Sequence, residues 1–323
     1  MPKFKVAIVV GSLRKNSLTR KAANALVSVA PENLACSFLE IGDLPLYNED
    51  LDEAPPASWL RFRADVKGHD AILFLTPEYN RSLSACIKNA VDVGSRPEGK
   101  NVFDGMPAGV VSVTPYKLGA FGANHALRQT FVYLNMPVMQ QPEAYISEAG
   151  DLFDASNGFK REETRIFFAK YMTAFAQWVE TIVGASRRQD FKSFMKQRES
   201  VAAAFVSGNS TPLDAIVPRS GEASFFPPNG GSVQGAQEVI TRYDADAKSF
   251  APGGSSNFDV LQSGADGDIG YWTGFQNADA RMGKADKRVQ MKLRVTELFR
   301  FQEGGWKLIH RHADAAADRP QGH

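Results

Sequence analysis

DAILFLTPEYNRSLSACIKNAVDVGSRP, residues 70–97, decides how the chain folds. Ala71 to Leu75 is an uninterrupted apolar run that stops at Thr76-Pro77. A run this short reads as a strand buried on both faces, as in a parallel sheet. Pro77 cannot continue a ladder, so the chain leaves the sheet at the strand's carboxyl end. Glu78, Tyr79, Asn80 and Arg81 then make a polar and aromatic loop. Ser82 or Ser84 caps a helix that carries Ile87, Ala90 and Val91 on one face. Ligands of open α/β sheets bind beyond the carboxyl ends of the strands. Backbone amides, a phenol and a carboxamide at that place suit a flat heteroaromatic ring. An ordinary strand-to-helix loop fits the same residues equally well.

Phe4 to Val10 is a second continuous apolar strand, followed directly by GSLRKNSLTRKAA, Gly11 to Ala23. Gly11 permits a tight turn, Ser12 and Ser17 supply hydroxyls, and Arg14 supplies a planar cation. A helix beginning near Ser17 points its free amides and positive dipole end back at this loop. The combination suits one terminal phosphate monoester. The lysine-threonine pair of a Walker loop and the second and third glycines of GxGxxG are missing, so the pattern suggests a mononucleotide.

These two stretches, in this order, resemble the NADPH-dependent FMN reductase family, in particular its quinone and chromate reductase branch. A third match is VVSVTPYKLGAFGANHALRQTFVYLNMPVMQQPEAYI, Val110 to Ile146, and the resemblance covers roughly residues 1 to 183. It implies a flavodoxin-like fold and FMN with NADPH or NADH as cofactors. It further implies a phosphate held by Ser12, Arg14, Ser17, Leu18 and Thr19, and a flavin ring lined by Pro77, Glu78, Tyr79 and Asn80. Ser112 and Thr114 are then expected near the ribityl chain or ring edge. The chain departs from the family at Ser84-Ala85, where proline-glycine is usual, at Val93, where tryptophan is common, and at Tyr116-Lys117, a turn that usually carries glycine. A tyrosine at that turn either stacks on the ring or obstructs the nicotinamide.

With 323 residues the chain is long for one core, and two domains are the natural expectation. Hydrophobic residues at 43% and charged residues at 23% are those of a soluble globular protein. Residues 1 to 183 hold 19 basic and 20 acidic side chains, and residues 184 to 323 hold 18 and 16. Neither half has the basic excess that nucleic-acid binding needs. Cys36 and Cys86 are isolated, so neither a metal site nor a disulfide framework is expected. MPKFKVAIVVGS reads as a strand, too soon interrupted for a signal peptide, and no run approaches transmembrane length. A cytoplasmic location follows as the default, with no membrane partner.

Strands at Phe4 to Val10, around Cys36 to Ile41, Ala71 to Leu75, Gly109 to Thr114 and Met136 to Met139 alternate with helical patterns. That is a doubly wound parallel sheet, with the mononucleotide at the switch between its first and third strands. The proline-rich segment Gly42 to Pro56 is either a solvated loop or, as the resemblance implies, part of a homodimer or homotetramer contact. Phe167, Tyr171, Ala174, Phe175, Trp178 and Ile182 form a core stripe on a helix from Arg161 to Val183, which closes a first domain at residues 1–183.

Gly184 to Gln189, GASRRQ, reads as a polar linker, and Phe191, Phe194, Met195, Arg198, Ala202 and Phe205 recur at helical spacing after it. A short strand at Ala223 to Pro227 and a helix within Val233 to Lys248 precede an antiparallel meander. Its strands are Ser256 to Gln262, Ile269 to Gln276, Val289 to Phe301 and Trp306 to His312, with Gly304-Gly305 as the last hairpin turn. GEASFFPPNGGSVQGAQEVITRY (Gly221 to Tyr243), GDIGYWTGF and VTELFRFQEGGWKLIHRHAD resemble the SnoaL-like and ketosteroid-isomerase-like branch of the nuclear-transport-factor-2-like superfamily. The second domain is thus expected to be an α+β cone over residues 190–314, followed by a tail at 315–323. Tyr243, Trp272, Arg294, His310 and His312 are its candidate functional residues, and Tyr243, Trp272 and His310 are expected in a substrate pocket with Phe225. His310 and His312 share one face of a strand, either as a metal pair completed by Asp214 or Asp268 or as structural histidines.

The expectation is an FMN-dependent NAD(P)H oxidoreductase. It passes hydride to the flavin and then to a quinone or other small-molecule acceptor, and needs no side-chain acid or base. The cone is accessory. Two other readings stay open. One is a flavin-binding sensor or electron carrier whose cone is a ligand receptor or dimerisation module. The other is a bifunctional reductase with a cyclase or isomerase.

Overall fold

Phe4–Val10 (β1) and Ala71–Thr76 (β3) lie side by side in parallel, with every β3 residue buried. In the computed structural model, residues 4–154, 158–283 and 287–316 are described. The chain divides into two compact units, Met1–Val183 and Gly184–His323.

In the first unit, β1 leads into Leu18–Ser28 (α1), then Leu34–Phe38 (β2), Ala57–Lys67 (α2), β3, Ala85–Ser95 (α3), Ala108–Val113 (β4), Phe121–Tyr133 (α4) and Ala144–Ile146 (β5). The sheet order is β2-β1-β3-β4-β5, all parallel. This is the flavodoxin order, which reverses direction at β1/β3. Two apolar layers cover the two faces. One packs α1 and the start of a long helix, Glu162–Phe205 (α5), on one face; the other packs α2, α3 and α4 on the opposite face.

Three expectations need correction here. The fifth strand is β5 and not Met136 to Met139; Val138 makes only an isolated bridge to Ala108. Pro137 and Pro142 lack the amides that a continuous strand there would need. The buried stripe of α5 is centred on Phe168, Tyr171, Met172, Phe175 and Val179, with Phe167 and Trp178 at its margin. Gly184 to Gln189 is helical, part of α5, and not an irregular linker. Its Arg, Gln and Ala side chains are good helix formers, and one glycine costs only about 1 kcal/mol.

The second unit continues from α5 through Thr211–Asp214 (α6), Ser224–Phe226 (β6), Val233–Gln234 (β7) and Ala236–Ala247 (α7). Four long antiparallel strands follow: Phe250–Asp266 (β8), Ile269–Met282 (β9), Lys287–Gln302 (β10) and Gly305–Ala315 (β11). The sheet order β7-β6-β11-β10-β9-β8 wraps on α5 and α7, an α+β cone. The last hairpin turns on Glu303 and Gly304, both at positive φ, and Gly305 already pairs with Gln302. The two turn residues thus sit one position earlier than Gly304-Gly305, with the positive φ pair of a type I′ turn.

Candidate functional site

At the carboxyl end of β1, Ser17 caps α1 with its hydroxyl, which accepts from the Arg20 amide at 3.0 Å. The first turn of α1 holds no acidic residue. The amides of Ser12, Leu13, Arg14, Leu18 and Thr19 make no hydrogen bond among the described residues, and neither does the exposed Arg14 guanidinium. Ser12, Ser17 and Thr19 are buried beside them. Unpaired amides, hydroxyls and a free guanidinium at a helix N-terminus form a donor set that fits a phosphate monoester. Gly11 joins this loop to the sheet through its amide and Leu75 O. A Cβ on Gly11 would stand 2.4 Å from Ile87 Cδ1, so only glycine lets β1 and α3 approach this closely.

After β3, Tyr79 and Ser82 exchange two backbone hydrogen bonds of 3.0 Å around Asn80 and Arg81, whose φ angles are 50° and 65°. A non-glycine pair at positive φ is strained, and such strain gathers at ligand-holding turns. The turn is held in place from α4. Glu78 Oε2 accepts from the Ala123 amide at 3.2 Å, where the helix dipole favours its charge, and Arg81 Nη1 lies 3.5 Å from Glu78 Oε1. A Cβ on Gly122 would come within 2.6 Å of Arg81 O. With the Glu78 carboxylate engaged, the loop offers a ring its Pro77–Asn80 backbone and the half-exposed Tyr79 phenol.

Ser112 lies within β4, and Thr114 follows it directly. Ser112 is fully buried, and its hydroxyl donates to Gly119 O at 2.6 Å and accepts from Asn124 Nδ2 at 3.3 Å. Strand alternation turns it into the protein, so it braces the 114–119 turn and is not itself at a ligand edge. Thr114 Oγ1 accepts from the Tyr116 amide at 3.3 Å. The Tyr116 ring is 76% exposed and stacks on no other ring among the described residues. Burial pushes the Cys36 thiol up to about 11, which leaves it a poor nucleophile.

The second unit encloses a cavity of about 260 Å³. Its lining includes Phe205, Leu213, Phe225, Tyr243, Gln276 and Leu293, together with three arginines, Arg198, Arg242 and Arg311. Glu297, fully buried, accepts from Arg198 Nε at 3.0 Å, from Arg198 Nη2 at 2.6 Å, from Trp272 Nε1 at 2.7 Å and from Arg311 Nη1. Arg311 Nη2 also donates to Gln276 Oε1 at 2.6 Å. Burial works against the Glu297 charge, but the two guanidinium groups outweigh it and hold the carboxyl below its usual range.

Tyr243 and Phe225 thus lie on the cavity wall, whereas Trp272 supports Glu297 without lining the cavity, and His310 does not line it either. The β10–β11 register shifts between Leu298 and Phe299, where Ile309 is an extra residue. Before the bulge Trp306 and Leu308 face the core; after it Arg311 and Ala313 do, and both histidines turn away. His310 Nδ1 instead pairs with Ser224 Oγ at 2.8 Å, and the Phe226 ring meets both histidines edge-on. No group of metal-ligating side chains occurs among the described residues. Arg294 lies outside the cavity, paired with Asp314. The residues that sequence reading missed here are Glu297, Gln276 and Arg311. Glu297 interrupts the apolar strand VTELF, which was the one available signal.

Comparison with known proteins agrees with this geometry. The NADPH-dependent FMN reductase family matches residues 4–151, and a SnoaL-like domain matches residues 199–318. A quinone reductase from Pseudomonas putida is 56% identical over 178 residues, 55% of this chain and 95% of that protein. A 2-hydroxy-1,4-benzoquinone reductase from a Burkholderia species is 38% identical over 176 residues, 54% of this chain and 96% of that protein. The solved flavoenzyme NAD(P)H:(acceptor) oxidoreductase from Paracoccus denitrificans is 39% identical, covers 55% of this chain and 98% of its own, and superposes with a TM-score of 0.53. The chain belongs to the NADPH-dependent FMN reductase family, with a SnoaL-like domain fused behind the reductase domain.

Proposed function

We propose that this chain is an FMN-dependent NAD(P)H:quinone oxidoreductase whose second unit is an accessory small-molecule-binding module. The observation that carries the reading is the pairing of two loops on adjacent strands at the β1/β3 switch point. One holds unpaired donors around Arg14, and the other is the strained Tyr79–Ser82 turn. The chemistry FMN supplies when bound is two-electron transfer between a reduced nicotinamide and a quinone. Ser12, Arg14, Ser17, Leu18 and Thr19 hold the phosphate in this reading. The backbone of Pro77–Asn80 and the Tyr79 ring hold the flat ring system. Glu78, Ser112 and Asn124 keep the loops in register and stay out of the reaction. No side chain transfers a proton in an obligatory step. The names of the Pseudomonas and Burkholderia relatives support a quinone as acceptor.

The reading includes residues 1–183 as the reductase, residues 190–314 as the cone, a homodimer or homotetramer, and a cytoplasmic location. No helix among the described residues is long and apolar enough to cross a membrane. Leu46, well exposed in the proline-rich segment, supports a contact between copies. The test is NADPH and NADH oxidation by the FMN-loaded protein with and without 1,4-benzoquinone. Quinone-stimulated oxidation is expected. A protein that binds FMN but turns over neither nucleotide is instead a flavin-binding sensor or carrier, an outcome the exposed Tyr116 ring at the nicotinamide turn would favour.

A further inference from the structure

Tyr243 and Arg198 line the cavity of the second unit, are 1% and 2% exposed, and each ends in a donor without a partner. Arg198 Nη1 and the Tyr243 hydroxyl make no hydrogen bond among the described residues. Burial raises the Tyr243 phenol well above its usual range, so the group is a neutral donor at every physiological pH. Arg198 has no acceptor capacity at all. The charges at the cavity floor are also unequal: Arg198 and Arg311 face the single carboxylate of Glu297. At the mouth, Arg242 and Asp246 cancel one another at 2.8 Å. A buried excess of one positive charge beside two unused donors is costly without a complement. The missing complement is therefore an acceptor that carries negative charge.

The rest of the lining sets the body of that molecule. Ala202, Phe205, Val206, Phe225, Ala278 and Leu293 are apolar. At about 260 Å³ the cavity lies just below the roughly 300–1,000 Å³ of pockets for drug-sized ligands, which limits the occupant to one or two fused rings. We propose that this cavity binds a small aromatic monoanion, with its oxyanion on Arg198 and Tyr243 and its rings against Phe205 and Phe225. An aryl carboxylate and an ionised hydroxyquinone present the same delocalised oxyanion to these donors. The inference rests on the second unit being a small-molecule-binding module, and it does not depend on flavin chemistry.

The test is calorimetric titration of the full chain, without nicotinamide, using 2-naphthoate, its neutral analogue 2-naphthamide, and 2-hydroxy-1,4-naphthoquinone. Both anions are expected to bind, with the amide at least tenfold weaker. Tyr243→Phe is expected to weaken 2-naphthoate at least fivefold. The same change should leave the melting temperature of the free protein unchanged or raised, because it deletes an unsatisfied hydroxyl. A purely structural tyrosine would show the opposite pattern. Ala278→Leu, which fills the wall, provides a second variant and should abolish binding of 2-naphthoate. The proposal is overturned if the amide binds as tightly as the carboxylate, if neither anion binds at millimolar concentration, or if Tyr243→Phe leaves affinity unchanged. Binding of the quinone alone, unchanged in Ala278→Leu, would overturn the proposal by placing that binding outside the cavity. Quinone-dependent NADPH oxidation, measured separately, reports only on the first unit.

Discussion

Arg198 and Glu297, 99 residues apart, form a bidentate pair with both side chains buried: Nε to Oε2 at 3.0 Å and Nη2 to Oε1 at 2.6 Å. The pair ties α5 to β10, and Trp272 and Arg311 complete it from the neighbouring strands β9 and β11. Breaking such a pair from one side leaves an uncompensated buried charge and costs about 3–5 kcal/mol. Glu297→Gln strands two guanidinium groups and is expected to lower stability by that amount, seen as an earlier unfolding transition. The carboxyl sits below its ordinary range, so the unfolded chain takes up the proton more readily than the folded one. This stabilisation is complete above the ordinary value of 4.5 and is lost as pH falls toward the folded-state value. The gap in melting temperature between the native protein and Glu297→Gln should therefore narrow below pH 4.5; a constant gap would show that the charge is not what the pair supplies.

Asp214 behaves oppositely. Burial first, then the neighbouring Asp244, push its carboxyl up to about 6, and one of its oxygens has no partner. Here the folded protein binds the proton more tightly than the unfolded chain. The associated stability is present at acid pH and lost as pH rises through about 6. Asp214→Asn is expected to raise the melting temperature at pH 7 and to leave it nearly unchanged at pH 4. A loss at pH 7 would mean that the Ser210–Asp244 hydrogen bond needs the ionised partner.

The parallel sheet was legible because β1, β3 and β4 are buried on both faces and so carry continuous apolar runs. The Ser17 cap that opens α1 was legible for a similar reason: helix capping is a local matter. Short β5 carries no comparable run, and the apolar pattern points to Met136 to Met139 in its place. In the cone, alternation alone put His310 inward, whereas the bulge at Ile309 hands that position to Arg311. Glu297 is not marked by any local pattern, because its stabilising partners are far away in sequence. Ser112 shows the same limit: the hydroxyl type pointed to a ligand, but its acceptor, Gly119 O, is set by the fold.

Arg14 and Ser17 test the phosphate loop in separable ways. Each charge-assisted or hydroxyl contact to a phosphate contributes about 1.5–3 kcal/mol at most, so Arg14→Ala and Ser17→Ala should both weaken FMN. Arg14 is exposed and makes no hydrogen bond or ion pair among the described residues, so Arg14→Ala should leave stability unchanged. Ser17 also caps α1, and its loss should cost about 1 kcal/mol of stability as well. FMN should bind well and FAD poorly, since the loop offers one phosphate nest. Equal FAD affinity by fluorescence titration, or full FMN affinity in Arg14→Ala, would remove the phosphate from this loop.

Tyr116 is anchored by its backbone alone, with its amide on Thr114 Oγ1 and its carbonyl accepting from the Glu148 amide at 3.2 Å. Its exposed ring supports no core, so Tyr116→Gly should not unfold the protein. The expected result in stopped-flow measurements is faster flavin bleaching by NADPH with FMN affinity within about twofold, the signature of a ring that obstructs the nicotinamide. Looser FMN without faster bleaching would instead show that the ring stacks on the flavin. No change in either would place the turn away from the ring.

Removal of the cone is the sharpest test of the two-unit reading. The core of the first unit takes its helix α5 contributions from Phe168 to Val179, with Val183 at its margin. Trp178 Nε1 donates to Pro137 O at 3.0 Å, also within that unit. Every residue assigned to FMN lies before residue 120, and the Pseudomonas quinone reductase aligns with this chain over 178 residues as 95% of its length. A fragment ending at Val183 cuts α5 at a point where water can satisfy the freed carbonyls, so the cut itself should cost little. The fragment is expected to fold, to bind FMN and to retain quinone-dependent NADPH oxidation within about threefold, roughly 0.7 kcal/mol in the barrier. A folded fragment that no longer binds FMN would mean that the second unit contributes to the flavin site, and the division into reductase and accessory module would fail. A fragment with intact flavin reduction but a changed acceptor preference or oligomeric state would assign those two properties to the cone.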